Sequence, residues 1–209
     1  RTEQPLTWND EGRYVKPQQV MRTLREITGG DAIISTEVGQ NQMWVAQFYD
    51  FDSPRTLLTS GGLGTMGYGL PAAVGAQFAY PDKLVIDVAG DGSIQMNIQE
   101  MATIVENRLP IKIIILNNGY LGMVRQWQEL FYKHNYSFTS MHGQPDFVKL
   151  ADAYGAEGYR ITAREDLEPT LRKALASPNP AIVDVVIEPE EDVYPMVPAG
   201  ASLDEMLLV

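Results

Sequence analysis

The chain has 209 residues, of which 44% are hydrophobic and 21% are charged, a composition that is ordinary for one sizeable globular domain. A formal net charge of −11 argues against a nucleic-acid partner, and no run of about eighteen apolar residues is present to span a membrane. Because the chain has no cysteine, it forms no disulfide, thiolate nucleophile or zinc–thiolate site, which fits a cytosolic or organellar enzyme.

Helical and strand-like patterns alternate along the sequence. Apolar periodicity and capping residues predict helices at residues 17–28, 40–47, 69–78, 98–107, 123–132, 146–154 and 166–176. Short, β-branched apolar runs between them predict strands at residues 32–36, 55–59, 84–89, 111–117, 156–160 and 181–187. The alternation predicts an α/β fold of three layers, α/β/α, in which a mostly parallel sheet of about six strands has helices on both faces.

Composition divides the chain into three parts. Residues 1–16 are polar and irregular, and we expect them to be the remnant of an interdomain linker, because the chain starts with neither a methionine nor a signal peptide. Residues 17–188 carry the predicted strands and helices and form the domain itself. Residues 189–209 are a C-terminal tail, in which the prolines and small residues of segment 193–201 exclude a helix. The acidic run 188–192 leaves a disordered tail as the alternative.

Two polar residues follow two neighbouring predicted strands. Asp91 follows the strand at 84–89 within the sequence Gly-Asp-Gly-Ser, and Asn118 follows the strand at 111–117, 27 positions further along. Because the carboxyl ends of parallel strands face one crevice, we expect both side chains to border it. A carboxylate, an amide oxygen and backbone carbonyls suit a Mg²⁺ ion that holds a diphosphate. A simple turn is the alternative for Gly-Asp-Gly taken alone.

This pattern, Gly-Asp-Gly followed by Asn-Asn with a helix between them, resembles the signature of thiamine diphosphate-dependent enzymes. The resemblance implies that Asp91, Asn118 and the backbone carbonyl of Tyr120 are the Mg²⁺ ligands. Gly92 has no side chain and lets the backbone approach a phosphate, and Ser93 begins the next helix, whose N–H groups favour an anion. The cofactor-binding residues implied here are Gly90, Gly92, Ser93, Asn118 and Tyr120.

A glycine-rich segment, residues 60–73, follows the second predicted strand. Part of it matches the Gly-x-Gly-x-x-Gly fingerprint of dinucleotide-binding folds, but neither Asp82 nor Asp87 ends a strand, as a ribose-binding acid does. A loop that permits tight helix–sheet packing is a second alternative. The whole segment resembles the aminopyrimidine-holding part of acetohydroxyacid synthases, also called acetolactate synthases. The resemblance implies that the backbone of Gly64 and Met66 binds the ring and that the flexible Met66 side chain bends the cofactor.

Segment 38–44 resembles the first diphosphate-binding turn of the same enzymes. The resemblance implies that Gly39, Gln40 and Asn41 bind the cofactor, and both amide side chains can donate hydrogen bonds to phosphate oxygens. A helix cap is the alternative for Asn41.

Segment 122–128 resembles the stretch that lies over the thiazolium ring. The resemblance implies that Gly122 and Met123 contact the cofactor and that Trp127 shapes the entrance for the second 2-oxo acid. An apolar contact of this kind can favour 2-oxobutyrate over pyruvate by about 1–3 kcal/mol. Packing in the core is the alternative for Trp127. Segment 193–201 resembles the tail that folds over the active site in this family. The residues implied to act in catalysis are Met66, Met123 and Trp127.

The resemblance implies the pyrophosphate domain of an enzyme that decarboxylates pyruvate and condenses the hydroxyethyl group with pyruvate or 2-oxobutyrate, in branched-chain amino acid synthesis. Thiamine diphosphate and Mg²⁺ are the implied cofactors, with FAD in another domain of the full-length enzyme. The implied partners are the pyrimidine domain of another chain, which carries an activating glutamate, within a homodimer or tetramer, and a regulatory subunit. Glu37 lies in the diphosphate-side turn and is not that glutamate. The implied compartment is the cytoplasm, or a plastid or mitochondrion in a eukaryote.

We therefore expect the chain alone to bind Mg²⁺–diphosphate weakly and not to turn over pyruvate. Two interpretations stay open beside this one: a separately encoded pyrophosphate subunit of another thiamine diphosphate-dependent 2-oxo acid enzyme, and a non-catalytic binding module. A nicotinamide-dependent oxidoreductase is a third, and it predicts NADH binding without any need for Mg²⁺.

Overall fold

A six-stranded, all-parallel sheet forms the centre of the computed structural model, which describes residues 6–208. Its strands are β1 (Ile33–Thr36), β2 (Leu57–Thr59), β3 (Val85–Gly90), β4 (Lys112–Asn117), β5 (Glu157–Ile161) and β6 (Ala181–Val186). They lie in the order β2-β1-β3-β4-β6-β5. The predicted number of strands and their parallel direction are confirmed, and each strand lies within about two residues of its predicted position.

Helices cover both faces of this sheet. They are α1 (Pro17–Thr28), α2 (Gln40–Phe48), α3 (Gly69–Ala79), α4 (Met101–Glu106), α5 (Gly122–Phe131), α6 (Phe147–Tyr154) and α7 (Leu167–Ala176). Helices α1, α2 and α7 contribute to the apolar cluster on one face, and α3, α4 and α6 to the cluster on the other. The predicted three-layer α/β/α architecture is therefore confirmed. Within residues 6–208, no helix is long and apolar enough to cross a membrane.

Strand β4 lies in the middle of the sheet, and all six of its residues are buried. Ile113 and Ile115 belong to the cluster under α3, α4 and α6, whereas Ile114 and Leu116 belong to the opposite cluster. Successive side chains of a strand point to opposite faces, so a strand covered on both faces must be apolar at nearly every position. This requirement explains the continuous apolar run that identified the strand in the sequence.

The predicted helix at 98–107 differs from the structure. Two short 3-10 turns, Ile94–Met96 and Ile98–Glu100, come first, and the α-helix begins only at Met101. Between the turns, the Asn97 side chain donates a hydrogen bond of 2.6 Å to the backbone carbonyl of Gly67. This contact across to the glycine-rich loop holds the backbone of Asn97 outside the helical range.

The terminal segments pack against the domain as far as the structure describes them, from residue 6 and up to residue 208. The predicted linker, residues 1–16, is described only from residue 6 onwards, and its Trp8 ring meets Phe48 edge-on with centroids 5.5 Å apart. Val193, in the predicted tail, is 3% exposed and belongs to the apolar core. Further on, Met196 and Leu207 form an antiparallel bridge.

Candidate functional site

A cavity of about 170 Å³ opens beyond the carboxyl ends of β1, β3 and β4. The chain leaves these three neighbouring strands as short loops, and parallel strands bring the loops to one edge of the sheet. The structure brings the predicted cofactor and metal residues together around this cavity: Gly39, Gln40, Asn41, Gly64, Met66, Gly90, Asp91, Gly92, Ser93, Asn118, Tyr120, Gly122 and Met123. Within the described tail, residues 189–208, no side chain lines the cavity, so a tail that covers it stays a prediction.

Trp127 borders a second, open groove of about 560 Å³, whose lining shares Met123 and Val124 with the cavity. Its side chain is 44% exposed and meets Phe131 edge-on, with ring centroids 6.1 Å apart. The alternative of a core position for Trp127 is therefore wrong. The structure places this aromatic ring beside the cavity mouth instead of in its wall.

Asp91 is a buried ionisable residue, and one of its carboxylate oxygens lacks a hydrogen-bond partner among residues 6–208. Its residue is 1% exposed, and among residues 6–208 its Oδ2 atom has no hydrogen-bond partner. Burial raises the pKa of its carboxyl from 3.8 to about 7, although the backbone N–H groups of Gly92 and Gly119 act in the opposite direction. The nearby Asp184 raises this pKa further. A buried carboxylate oxygen without a partner is costly, and a bound cation would relieve that cost.

The two asparagines after β4 point in different directions. Asn118 faces the cavity, where its Nδ2 donates to Gln40 Oε1 at 3.2 Å and its Oδ1 accepts from the backbone N–H of Tyr120 at 3.0 Å. Asn117 instead donates to Asp184 Oδ1 at 2.9 Å, away from the cavity. Strand alternation explains the difference, and it leaves Asn118 as the asparagine that can contribute an oxygen to the site.

The oxygen donors around the cavity fit a magnesium ion. They are the free Oδ2 of Asp91, the second lone pair of the Asn118 Oδ1 and the backbone carbonyl of Tyr120, all of which are hard ligands. In the part of the chain that the structure describes, no group of three or more His, Cys, Asp or Glu side chains could hold a metal. A single carboxylate among neutral oxygens suits Mg²⁺ that takes its remaining ligands from substrate phosphates and water.

The amide side chains of the first predicted phosphate turn are already engaged. Gln40 Nε2 donates to Gln126 Oε1 at 2.9 Å and to the backbone carbonyl of Glu191 at 3.1 Å. Asn41 Nδ2 donates to two backbone carbonyls, at 2.9 and 3.0 Å. The alternative of a helix cap for Asn41 is also wrong, since α2 has no side-chain cap bond and Gly39 holds the capping position. In this arrangement neither amide nitrogen has a hydrogen free for a phosphate.

One expectation for the Gly-Asp-Gly-Ser turn needs correction. The element that follows Ser93 is a 3-10 turn of three residues, so a long helix dipole does not point at the cavity. The Ser93 hydroxyl makes both of its hydrogen bonds to Gly90: it accepts from the Gly90 N–H at 3.0 Å and donates to the Gly90 carbonyl at 3.2 Å. A Cβ on Gly92 would lie 2.6 Å from Leu121 Cδ2, so the missing side chain also makes room for this neighbour.

Glu37 fixes the glycine-rich loop, a role that is not among those predicted from the sequence. Its fully buried carboxylate accepts hydrogen bonds from the backbone N–H groups of Gly67 at 2.5 Å and Leu70 at 3.0 Å. Burial raises the pKa of the Glu37 carboxyl, against these hydrogen bonds. The loop that carries Met66 is thereby tied to the end of β1. The available signal was an acidic residue at a strand end, facing the N-terminus of a helix.

Asp87 lies within β3 and belongs to the same buried group. Ser35 Oγ donates to its Oδ1 at 2.9 Å, and a Cβ on Gly69 would overlap this oxygen. Burial and the neighbouring Glu37 raise the pKa of the Asp87 carboxyl well above its usual value. Asp87 is therefore covered by the start of α3 and is not placed to bind a ribose.

The family model described as "Thiamine pyrophosphate enzyme, C-terminal TPP binding domain" matches residues 37–185, well over half of the chain. The chain belongs to this family. The matched range contains the whole cavity wall, from Val38 to Val124. The resemblance to thiamine diphosphate-dependent enzymes is thus confirmed, and the dinucleotide-binding interpretation of the glycine-rich loop is wrong.

Relatives of this thiamine pyrophosphate-binding domain include acetolactate synthases of bacteria, plants and yeast. It is 47% identical over 211 residues to acetolactate synthase isozyme 3 large subunit of Escherichia coli (strain K12). It is 45% identical to acetolactate synthase 1, chloroplastic, of Nicotiana tabacum, and 45% identical to the mitochondrial catalytic subunit of Saccharomyces cerevisiae. These alignments cover 100%, 99% and 99% of this chain but 37%, 32% and 31% of the relatives. The chain therefore spans about a third of the length of the curated relatives it matches.

Proposed function

We propose that this chain holds the Mg²⁺–diphosphate end of thiamine diphosphate in an acetolactate synthase. Asp91, Asn118 and the Tyr120 carbonyl are the proposed metal ligands. The observation that carries the proposal is the buried Asp91 carboxylate, which has an unpartnered oxygen in a cavity at the ends of three parallel strands. A divalent cation is the partner that such a carboxylate lacks within residues 6–208.

Glycine supports the proposed cofactor site by leaving room around the metal ligands. A Cβ on Gly122 would overlap Gln40 Oε1 and would lie 2.6 Å from Asn118 Nδ2. Glycine at this position lets helix α5 begin directly against the amide of the proposed metal ligand. Gly64, with φ of +72°, permits the turn that brings the Met66 loop to the opposite wall.

The proposed reaction releases carbon dioxide from one pyruvate and joins the remaining two-carbon group to a second pyruvate or to 2-oxobutyrate, as in branched-chain amino acid synthesis. When it is bound, thiamine diphosphate supplies the stabilisation of a carbanion, for which amino-acid side chains have no equivalent. The residues of this chain bind and orient. Met66 is proposed to support the bent cofactor, Met123 to contact it, and Trp127 to line the approach of the second 2-oxo acid, since its groove adjoins the cavity.

The charges around the cavity favour a site that needs a further domain. Neither the cavity nor the Trp127 groove has a Lys or Arg among its described lining residues, although 2-oxo acids carry a carboxylate. Arg125 is 2% exposed and is engaged by Glu129 and Asp192, each at 2.5 Å. We therefore propose that another chain's pyrimidine domain supplies the activating glutamate and a substrate-binding cation, and that this chain alone does not turn over pyruvate. FAD is proposed for the remainder of the full-length enzyme, which acts as a homodimer or tetramer with a regulatory subunit.

Calorimetric titration of thiamine diphosphate into the 209-residue chain, with and without Mg²⁺, tests the proposal. We expect weak binding that requires Mg²⁺ and is lost in Asp91→Ala. Asp82→Ala is the matched control, because Asp82 lies on an exposed turn, and it should bind as the wild type does. Binding that is indifferent to Mg²⁺, or unchanged in Asp91→Ala, would contradict the assigned metal site. Acetolactate formed from pyruvate by the purified chain would contradict the need for a second domain.

A further inference from the structure

Three buried amide side chains form a hydrogen-bonded series, the amide chain, which runs from the C-terminal segment (residues 189–208) to the cavity. Its members are Gln126, Gln40 and Asn118. Gln126, on α5, pairs with the backbone of Val193, donating to its carbonyl at 2.9 Å and accepting from its N–H at 3.0 Å. Gln40 donates to the same Gln126 Oε1 at 2.9 Å. Asn118 donates to Gln40 Oε1 at 3.2 Å. Gln126 is 2% exposed, Gln40 3% and Asn118 8%, so water competes little with these bonds.

In the amide chain, each amide group is oriented by the hydrogen bond to the group before it, which decides where its oxygen and its nitrogen lie. A backbone N–H can only donate and a backbone carbonyl can only accept, so Val193 determines which end of the Gln126 amide is oxygen. That oxygen, together with the carbonyl of Glu191, requires Gln40 to present its nitrogen on this side. The oxygen of Gln40 then faces Asn118, so Asn118 must donate a hydrogen bond to it through its nitrogen.

These hydrogen bonds orient the amide of Asn118, which lines the cavity. With its nitrogen held by Gln40, Asn118 keeps its oxygen free to face the proposed metal, and the backbone N–H of Tyr120 favours the same direction. A reversed Asn118 amide would point two N–H hydrogens at a cation. Gln126 itself does not line the cavity within the described part of the chain, so it acts only through its neighbours.

We infer that Gln126 is a positioning residue for the metal site: it transmits the polarity of the Val193 backbone through Gln40 and so holds the Asn118 oxygen toward the cation. This inference rests on the proposed function. Partners behind the metal ligands of proteins orient those ligands, and their loss typically weakens metal binding about 10–100-fold. Because the Glu191 carbonyl also orients Gln40 and the Tyr120 N–H also orients Asn118, we expect the lower end of that range.

Gln126→Met tests the inference, because methionine has a similar length but offers Gln40 no amide oxygen. The matched control is Gln18→Met. Gln18 is also buried and holds the same C-terminal segment, donating to Glu191 Oε1 at 2.7 Å, but it makes no bond to Gln40. Mg²⁺ is titrated in the presence of thiamine diphosphate for wild type and both variants, and thermal unfolding is recorded for each. We expect about tenfold weaker Mg²⁺ binding in Gln126→Met and unchanged binding in Gln18→Met.

Other results overturn the inference in distinguishable ways. Unchanged Mg²⁺ binding in Gln126→Met means that the amide chain does not orient Asn118. Equal weakening in both variants means that a loosened C-terminal segment is responsible. A wild type that folds but shows no Mg²⁺-dependent binding removes the proposed function and the inference with it.

Two further measurements keep the test decisive if Gln126→Met does not fold. Hydrogen exchange of the side-chain amides in the wild-type chain should show protection of Gln40, Gln126 and Asn118, and fast exchange at these groups would refute the amide chain. Mn²⁺ in place of Mg²⁺ allows the ligand set to be compared by electron paramagnetic resonance in Gln126→Glu, which retains the length and an acceptor for Gln40. A spectrum like that of the wild type is expected there, and loss of the bound Mn²⁺ signal contradicts the assigned role.

Discussion

Two glycines of helix α3 should respond in opposite ways to the same substitution. Replacing glycine by alanine inside a helix normally stabilises a protein by about 0.5–1 kcal/mol, because alanine loses less backbone entropy on folding. Gly75 is exposed, and a Cβ there would meet nothing within 4 Å in the described part of the chain. Gly69, at the start of the same helix, is buried against the end of β1.

The magnitude at Gly69 follows from the atoms that an added Cβ would meet. It would lie 2.5 Å from the backbone nitrogen of Glu37 and 2.6 Å from the backbone carbon of Thr36, and it would overlap Asp87 Oδ1. Two of these atoms are backbone in the sheet, so helix and strand must move apart. Overpacking of this kind costs about 1–3 kcal/mol. The displaced helix start also weakens the bond from the Leu70 N–H to Glu37, which adds about 1 kcal/mol.

We therefore expect Gly69→Ala to lower the free energy of unfolding by roughly 1–3 kcal/mol after the gain in helix propensity is subtracted. In a chain of this size that corresponds to a fall in Tm of roughly 2–12 °C. Gly75→Ala should raise Tm by roughly 1–4 °C. Urea unfolding followed by circular dichroism, together with thermal scans, measures both variants. A Gly69→Ala protein as stable as Gly75→Ala would refute the close approach of α3 to the end of β1.

Two further predictions concern charge and the cavity mouth. Because burial raises the pKa of Asp87, its contribution to stability is present at acid pH and is lost as pH rises above 3.8 through the folded-state pKa. Asp87→Asn should remove that loss, so urea titrations from pH 4 to 8 should give a flatter stability profile for the variant; an unchanged profile would contradict a buried, ionising Asp87. Trp127→Leu should leave stability within about 0.5 kcal/mol, since the ring is 44% exposed. In the full-length enzyme it should reduce discrimination between 2-oxobutyrate and pyruvate by about 1–3 kcal/mol, and unchanged product ratios would argue against its proposed role.

The sequence alone located the proposed metal ligands because two local rules were enough. Apolar β-branched runs marked β3 and β4 as strands covered on both faces, and parallel strands expose their carboxyl ends at one edge of the sheet. Asp91 and Asn118 follow those two ends directly, so their proximity needed no knowledge of the loops. The resemblance to thiamine diphosphate-dependent enzymes then supplied the chemistry, and the matched family model confirms the resemblance.

Hydrogen bonds between distant parts of the chain could not be predicted in this way. The resemblance implies that Gln40 and Asn41 offer amide hydrogens to a phosphate, but in the structure their nitrogens are bound within the protein. The sequence places Glu37 in a turn, whereas in the structure it anchors the glycine-rich loop 30 positions further along. The direction of a side-chain amide or carboxylate depends on neighbours that only the fold brings near.

The sequence by itself therefore determined the order of helices and strands, the parallel sheet and the edge at which the cavity opens. These features depend on the period of apolar residues and on strand direction, both of which are local. The tertiary structure decided which polar atoms at that edge remain without a hydrogen-bond partner in the described residues, such as Asp91 Oδ2. It also decided which already have a partner within the protein, such as Gln40 Nε2. The partners of Gln126 lie 86 and 67 positions away in the chain, and their polarity is settled only when the sheet, α5 and the C-terminal segment pack together.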